Sequence, residues 1–222
     1  MKHLKKAVIF DLDGTLLNTL DDLADSMNES LKRLGFPTHE TDAYRIFVGD
    51  GVKMLAKRAL PEGEKTDENC EKLLKIYAEV YKANQQNKTK PYEGVESVIK
   101  SLKELGFELF VLSNKPDLNT KEIVKHYFGG VFNGVYGQVE AFPKKPDPSY
   151  ALHILQANGI KPENTIFVGD SSPDILTAKA AKTHSVGVSW GFRGEAELKN
   201  AGAEKIVKSS EELLKYITEF EF

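Results

Sequence analysis

The sequence predicts an α/β fold: a doubly wound parallel sheet with a smaller α-helical domain inserted near its start. Three observations carry this. Four short apolar runs, AVIF (7–10), FELFVLS (107–113), TIFVGD (165–170) and SVGVS (185–189), are bounded by polar or glycine residues and lack clean alternation, as strands covered on both faces do. Helical stretches lie between them at 94–105, 118–128, 148–158 and 174–182, and strands alternating with helices build a parallel sheet. One long segment, 16–90, has helical periodicity (Leu20, Leu23, Met27, Leu31, Leu34, then Leu73, Leu74, Tyr77, Tyr81) and no convincing strand.

The first strand runs straight into Asp11-Leu12-Asp13-Gly14-Thr15. Asp13-Gly14 alone reads as a turn that ends a strand. Asp11 is not explained that way, because residues i and i+2 of an extended chain share a face and two like charges would sit side by side. Such a pair resists ionisation unless something positive lies between. A metal ion or a reacting group is therefore expected there.

The helical insertion begins directly after this motif and ends at NQQNKTKP (84–91), a polar stretch that reads as a linker. The expected organisation is a core of residues 1–15 and 91–222 with a helical cap of 16–90 hanging over the strand end that carries Asp11 and Asp13. No repeat or low-complexity tract interrupts it.

Composition narrows the class. The chain has 222 residues, with 30 Lys and Arg against 33 Asp and Glu, a net charge of −3. No overall basic field points to nucleic acid or a membrane surface, so an anionic ligand must be held by a local site. The single cysteine, Cys70, excludes an internal disulfide framework and a cysteine-rich zinc site, which is compatible with a reducing compartment. Lys2, Lys5 and Lys6 precede only a brief apolar run ending at Phe10, too short for a signal-peptide core or a membrane span. A cytoplasmic protein is expected. The five histidines are scattered without metal-ligand spacing.

Polar groups recur where the later strands stop. Ser113 and Asn114 follow the second run; Asp170, Ser171, Ser172, Pro173 and Asp174 follow the third. Each could be local, a turn residue or a helix N-terminal acid. In an open parallel sheet, however, the carboxyl ends of the strands form the ligand crevice, so these groups can converge on Asp11 and Asp13. Lys145 sits in a proline-held loop, PKKPDPSY, before a helix, and by itself reads as a surface lysine.

With these residues in place the chain resembles the haloacid dehalogenase superfamily of phosphatases over nearly its full length. Four motifs stand in that family's order: DLDGT (11–15), VLSN (111–114), KPDP (145–148) and GDSSPD (169–174). The insertion resembles a C1 cap on a Rossmann-like core. LDDLADSMNESL (20–31) and WGFRGEAEL (190–198) look most like the phosphoglycolate phosphatase branch.

The resemblance implies a Mg²⁺-dependent phosphatase acting on a small phosphorylated metabolite through an aspartyl phosphate, as a monomer or homodimer. It implies Asp11 as nucleophile, Asp13 as acid-base partner and Lys145 as catalytic cation. Gly14, Thr15, Ser113, Asn114 and Lys145 would handle the phosphate; Asp11, the Asp13 carbonyl and Asp170 would hold the metal, with Asp174 in support. The cap loop FVGDGVKML (47–55) would select the substrate through Gly49 and Gly51, with Arg45, Lys53 and Arg193 as candidate cations for a substrate carboxylate. Three positions depart from the family pattern: Asn18 for an aspartate, Lys182 for a glycine that commonly ends a helix, and Lys144 as a rival beside Lys145. A left-handed Lys182 is one outcome of the second departure.

Two other readings share parts of this pattern. Phosphomutases of the β-phosphoglucomutase type carry the same four motifs, and a phosphatase for another small ester or pyrophosphate would too. Receiver-like signalling domains also use strand-end aspartates, a hydroxyl, a lysine and Mg²⁺, but their phosphorylated aspartate comes from a middle strand and no helical insertion follows it. Trp190, Phe192 and Arg193 follow a strand at the expected catalytic edge, where they contact cap or substrate or, for Trp190, simply pack.

Overall fold

The apolar AVIF run becomes β1 (Ala7–Phe10), and its two faces bury different cores. Val8 and Phe10 join one apolar cluster, Ala7 and Ile9 the other, and all four are essentially inaccessible. A strand buried on both faces has no polar alternation to show, which explains the continuous run. The computed structural model describes residues 5–222; Lys2 and His3 lie outside the described residues.

β1 pairs in parallel with β4 (Glu108–Pro116) on one side and β6 (Thr165–Gly169) on the other, with Ala7 opposite both Glu108 and Thr165. The six-stranded sheet is completed by β5 (Gly134–Gln138), β7 (His184–Val188) and β8 (Lys205–Val207), in the order β5-β4-β1-β6-β7-β8, all parallel. Helices α5 (Val95–Glu104), α6 (Asp117–Phe128) and α10 (Ser210–Glu219) contribute to one cluster, and α7 (Ser149–Ala157) and α8 (Ser172–Ala181) to the other. The order reverses at β1, so the carboxyl ends of β1, β4 and β6 open into one crevice. The short helix α9 (Gly194–Ala201) packs on β7 and α8.

The helical insertion holds α1 (Leu20–Arg33), α2 (Tyr44–Phe47), α3 (Val52–Ala59) and α4 (Asp67–Asn84). Their apolar faces form a separate cluster around Met27, Leu31, Tyr44 and Leu73, which Phe192 of the sheet-bearing part also enters. No helix among the described residues is long and apolar enough to cross a membrane.

Several details differ from the sequence expectation. The span 16–90 contains a strand after all: β2 (Leu17–Asn18) pairs antiparallel with β3 (Lys90–Pro91), a ladder too short to leave a periodic signature. The 84–91 stretch is not a free linker. Buried Asp22 accepts the backbone N–H groups of Lys88 (3.0 Å) and Thr89 (2.8 Å), and Tyr127 donates its hydroxyl to the Thr89 carbonyl (2.7 Å). Those partners are distant in sequence, so local composition could not reveal them. The edge strands β5 and β8 also escape the apolar reading, β5 because it is glycine-containing and half-exposed, β8 because it is three residues long. β4 runs on to Pro116, carrying Ser113, Asn114 and Lys115 in the strand itself.

Lys182 ends α8 with φ 60° and ψ 34°, in the left-handed region. That conformation normally favours glycine because a Cβ crowds the carbonyl there.

Candidate active site

Asp11 leaves the end of β1 still registered with β6, its N–H donating to the Val168 carbonyl at 2.9 Å. The chain then turns tightly: Gly14 donates to Leu17, while Leu16 and Leu17 both donate to Leu12. Gly14 is required twice over. Its φ is +86°, and a Cβ there would fall 2.3 Å from Oδ2 of Asp170. The glycine thus lets the Asp170 carboxylate approach the first motif.

Four charged groups meet at this point, all buried. Lys145 Nζ lies 2.7 Å from Asp11 Oδ1 and 2.6 Å from Asp174 Oδ1, while Lys144 instead reaches the Asp50 carbonyl at 3.4 Å. Asp170, at the end of β6, accepts the Phe192 N–H on Oδ2 at 2.7 Å. Asp174, in the first turn of α8, accepts the Ser171 N–H (3.1 Å) and hydroxyl (2.6 Å) on Oδ2. Both oxygens of Asp174 are therefore engaged.

The electrostatics of the group are unbalanced. Asp11, Asp170 and Asp174 each offer an oxygen within 4.8 Å of the others, and among the described residues Lys145 is the one cation in contact with them. Burial, reinforced by Asp174, pushes the Asp11 carboxyl up to about 7 against the opposing pull of Lys145. Burial and the two neighbouring aspartates likewise raise Asp170 well above the usual carboxylate range. For Lys145, burial alone would lower the ammonium, but Asp11 and Asp174 outweigh it and hold the proton more tightly than in water. Three clustered carboxylates against one ammonium are the donor set and charge that a hard divalent cation fits.

Asp13 sits apart from this group. It accepts the Thr19 hydroxyl on Oδ1 at 2.7 Å and the Lys115 ammonium at 3.0 and 3.2 Å. Sequence reasoning does not find Lys115. It is 4% exposed at its side chain and lies over the Tyr81 ring at 4.7 Å from the centroid. The one signal is its place directly after Ser113-Asn114 on the same strand end, where it reads equally well as a solvated lysine before a proline.

The other expected residues divide. Ser113 and Asn114 border the crevice, a cavity of about 700 Å³ roofed by the helical insertion. The Asn114 side chain is taken up by backbone: it accepts the Lys145 N–H at 2.9 Å and donates to the carbonyls of Lys145 (3.1 Å) and Gly49 (3.0 Å). Thr15 is buried behind the site, its carbonyl accepting Trp190 Nε1 at 3.1 Å, so Trp190 packs against the first motif. Gly49 and Gly51 border the cavity with φ of +115° and +83°.

Arg193 also borders it, but donates from Nη2 to the carbonyls of Val48 (2.8 Å) and Ile46 (3.3 Å). Arg45 is exposed and paired with Asp42, and Lys53 is exposed on α3; neither borders the cavity. The loop after α2 is thereby tied to the sheet-bearing part by Asn114, Lys144 and Arg193.

Known proteins resemble this chain over most of its length. The sequence profile of the haloacid dehalogenase-like hydrolases matches residues 8–188. The phosphoglycolate phosphatase of Psychrobacter arcticus is 36% identical over 196 residues, 85% of each chain, and that of Mannheimia succiniciproducens is 31% identical over 219 residues, 96% of this chain and 98% of the other. The crystal structure of a predicted phosphoglycolate phosphatase from Haemophilus somnus superposes with a TM-score of 0.88 at 28% identity, covering 97% of this chain and 99% of that one. The sheet of this order, the helical insertion and the matches along the chain lead to one conclusion: this chain belongs to the haloacid dehalogenase-like hydrolases and is phosphoglycolate phosphatase-like within them.

Proposed function

We propose that the chain hydrolyses a small phosphate monoester of phosphoglycolate type, through a phospho-aspartyl intermediate on Asp11. The observation that carries the reading is the division of labour at the end of β1. Asp11 is held by Lys145, while Asp13, two residues on, is held by other groups altogether.

Lys145 engages Oδ1 of Asp11, which leaves Oδ2 to attack phosphorus. As the new O–P bond forms, the ester O–P bond breaks and Asp13 gives its proton to the departing oxygen. Water then attacks the phospho-aspartate, Asp13 takes the water's proton, and phosphate leaves with Asp11 restored. Splitting the displacement in two makes each step easier, and a positioned acid-base group contributes about 10²- to 10⁴-fold. Thr19 and Lys115 fix the Asp13 carboxyl for both transfers. The Ser113 hydroxyl supports a phosphoryl oxygen, and Lys145 supplies fixed positive charge as the group passes. Asn114 acts as a strut that fixes the Lys145 loop.

Asp11, Asp170 and the Asp13 carbonyl would hold Mg²⁺, with Asp174, its oxygens engaged by Lys145 and Ser171, orienting the set. When bound, the ion would neutralise the repulsion between the carboxylates and an anionic substrate. We assign 1–15 with 91–222 to the catalytic core and 16–90 to the cap.

Acid quenching during turnover of a ³²P-labelled ester tests the scheme. Label should be retained on the chain in Mg²⁺ and be absent from Asp11→Asn. Excess chelator should abolish phosphate release, and Ca²⁺ should inhibit, because its looser geometry can take both Asp11 oxygens. Turnover without a labelled intermediate, or full activity in chelator, would overturn it.

A further inference from the structure

The three cations that the sequence offered for a substrate carboxylate do not face the cavity freely: Arg45 and Lys53 lie outside it, and Arg193 is committed to main-chain carbonyls. Lys145 is taken by Asp11 and Asp174, and Lys82 is an exposed residue of the cavity wall. Lys115 is different. It borders the cavity, it is buried, and Asp13 is its sole hydrogen-bonding partner at Nζ among the described residues.

Resting on the phosphatase reading above, we infer that Lys115 is the residue that recognises the substrate's carboxylate and so sets specificity for phosphorylated acids. The placement follows from the chemistry. Asp13 must touch the ester oxygen that leaves, so whatever that oxygen carries emerges next to Asp13. In a phosphorylated 2-hydroxy acid, one carbon separates the oxygen from the carboxylate, which therefore arrives beside the ammonium that Asp13 holds. An ammonium has three N–H donors, and the Asp13 carboxylate does not exhaust them.

The surroundings strengthen the pairing. Lys115 lies over the Tyr81 ring, and Leu23, Leu74 and Tyr77 border the same cavity, an apolar wall of low polarity against which an ion pair is stronger than in bulk water. The Tyr81 hydroxyl is buried and has no hydrogen-bond partner among the described residues, so it is available as a second donor. A buried cation with spare donors, beside an unpaired buried hydroxyl, at the exit of the leaving group is a carboxylate subsite.

The test compares kcat/KM for 2-phosphoglycolate with that for 2-hydroxyethyl phosphate, a neutral-tailed ester of similar size, in the Mg²⁺-loaded full chain. The parent should prefer the acid. Lys115→Met should cut that preference about 10- to 100-fold, mostly through KM, since one charge-assisted contact is lost. Lys115→Arg should keep part of it, and Tyr81→Phe should reduce it by a smaller factor. Loss of Asp13 positioning alone would lower both substrates equally. Such an equal loss, or a folded parent that hydrolyses p-nitrophenyl phosphate without preferring the acid, overturns the inference while leaving the phosphatase reading standing. A parent that hydrolyses none of the three esters overturns the phosphatase reading instead.

Discussion

The two ends of the cavity are built by opposite means. At the end proposed for the phosphoryl group, Asp11, Lys145, Asp170 and Asp174 come from short motifs at a strand end, just before a helix or in a helix's first turn, and each group is fixed by contacts within that set or by backbone. At the end proposed for the leaving group, Asp13, Thr19, Lys115 and Tyr81 are drawn together from the first motif, the residue before α1, β4 and α4. On the proposed reading, the first end handles a group common to all phosphate esters and needs rigidity. The second must fit one substrate among many, and its parts come from elements that can vary separately.

The sharpest way to break the first end is Asp11→Asn, which removes the proposed nucleophile at nearly constant shape. Phosphate release should fall below roughly a thousandth of the parent rate, with circular dichroism and melting temperature retained. Residual turnover above that level would mean another group attacks phosphorus.

Asp13→Asn probes the boundary between the ends. Steady-state turnover should fall about 10²- to 10⁴-fold, the worth of a positioned acid-base group. A good leaving group such as p-nitrophenol needs no proton, so rapid mixing should show a burst of it without turnover. Unchanged steady-state hydrolysis would remove Asp13 from the chemistry.

The cap loop offers a gentler contrast. Gly51 has φ +83°, and a Cβ there would meet Lys144 Nζ at 2.7 Å and the Asn114 carbonyl at 3.2 Å. Gly51→Ala should cost about 1–3 kcal/mol of stability in denaturant titration, because its positive φ with ψ 165° is a backbone conformation that residues with a Cβ rarely hold. By displacing the loop it should lower kcat/KM for phosphoglycolate by roughly tenfold. Lys53→Ala, on the exposed face of α3, should change neither. Equal effects of the two would show that the loop's position against the sheet is irrelevant to selection.

The smallest effect lies far from both ends. Lys182 holds a left-handed backbone at the end of α8, so Lys182→Gly should stabilise by about 1 kcal/mol. For a chain of this size that is roughly 2–4 °C in melting temperature, with kcat/KM untouched. A fall in melting temperature would mean the lysine side chain is itself holding the helix end.

The same contrast governs what can be read in the sequence. The central strands are legible because burial on both faces leaves continuous apolar runs, and the strand-end polar groups because they break those runs abruptly. Lys115 is not, since its partner Asp13 is 102 positions away and nothing local distinguishes it from a solvated lysine. The fastening of 84–91 by Asp22 and the roles of Arg193 and Asn114 as ties to backbone carbonyls escape for the same reason. Arg45 and Lys53 carry the right charge on the right segment, but helical phase turns them outward, and only three dimensions settle the phase of a short helix.

The two-residue ladder of β2 and β3 places Leu17 opposite Pro91 and Asn18 opposite Lys90. Antiparallel partners stand about 4.5–5.5 Å apart, so the polypeptide departs from the sheet and returns to it through practically one doorway. A segment whose entrance and exit coincide puts almost no geometric constraint on its own interior. Away from the loop that Asn114, Lys144 and Arg193 hold, it could be lengthened or shortened while the strand that presents Asp11 kept its place. Such an arrangement would let the wall contributed by the insertion change, while Lys115 on β4 and the groups around Asp11 stay where they are.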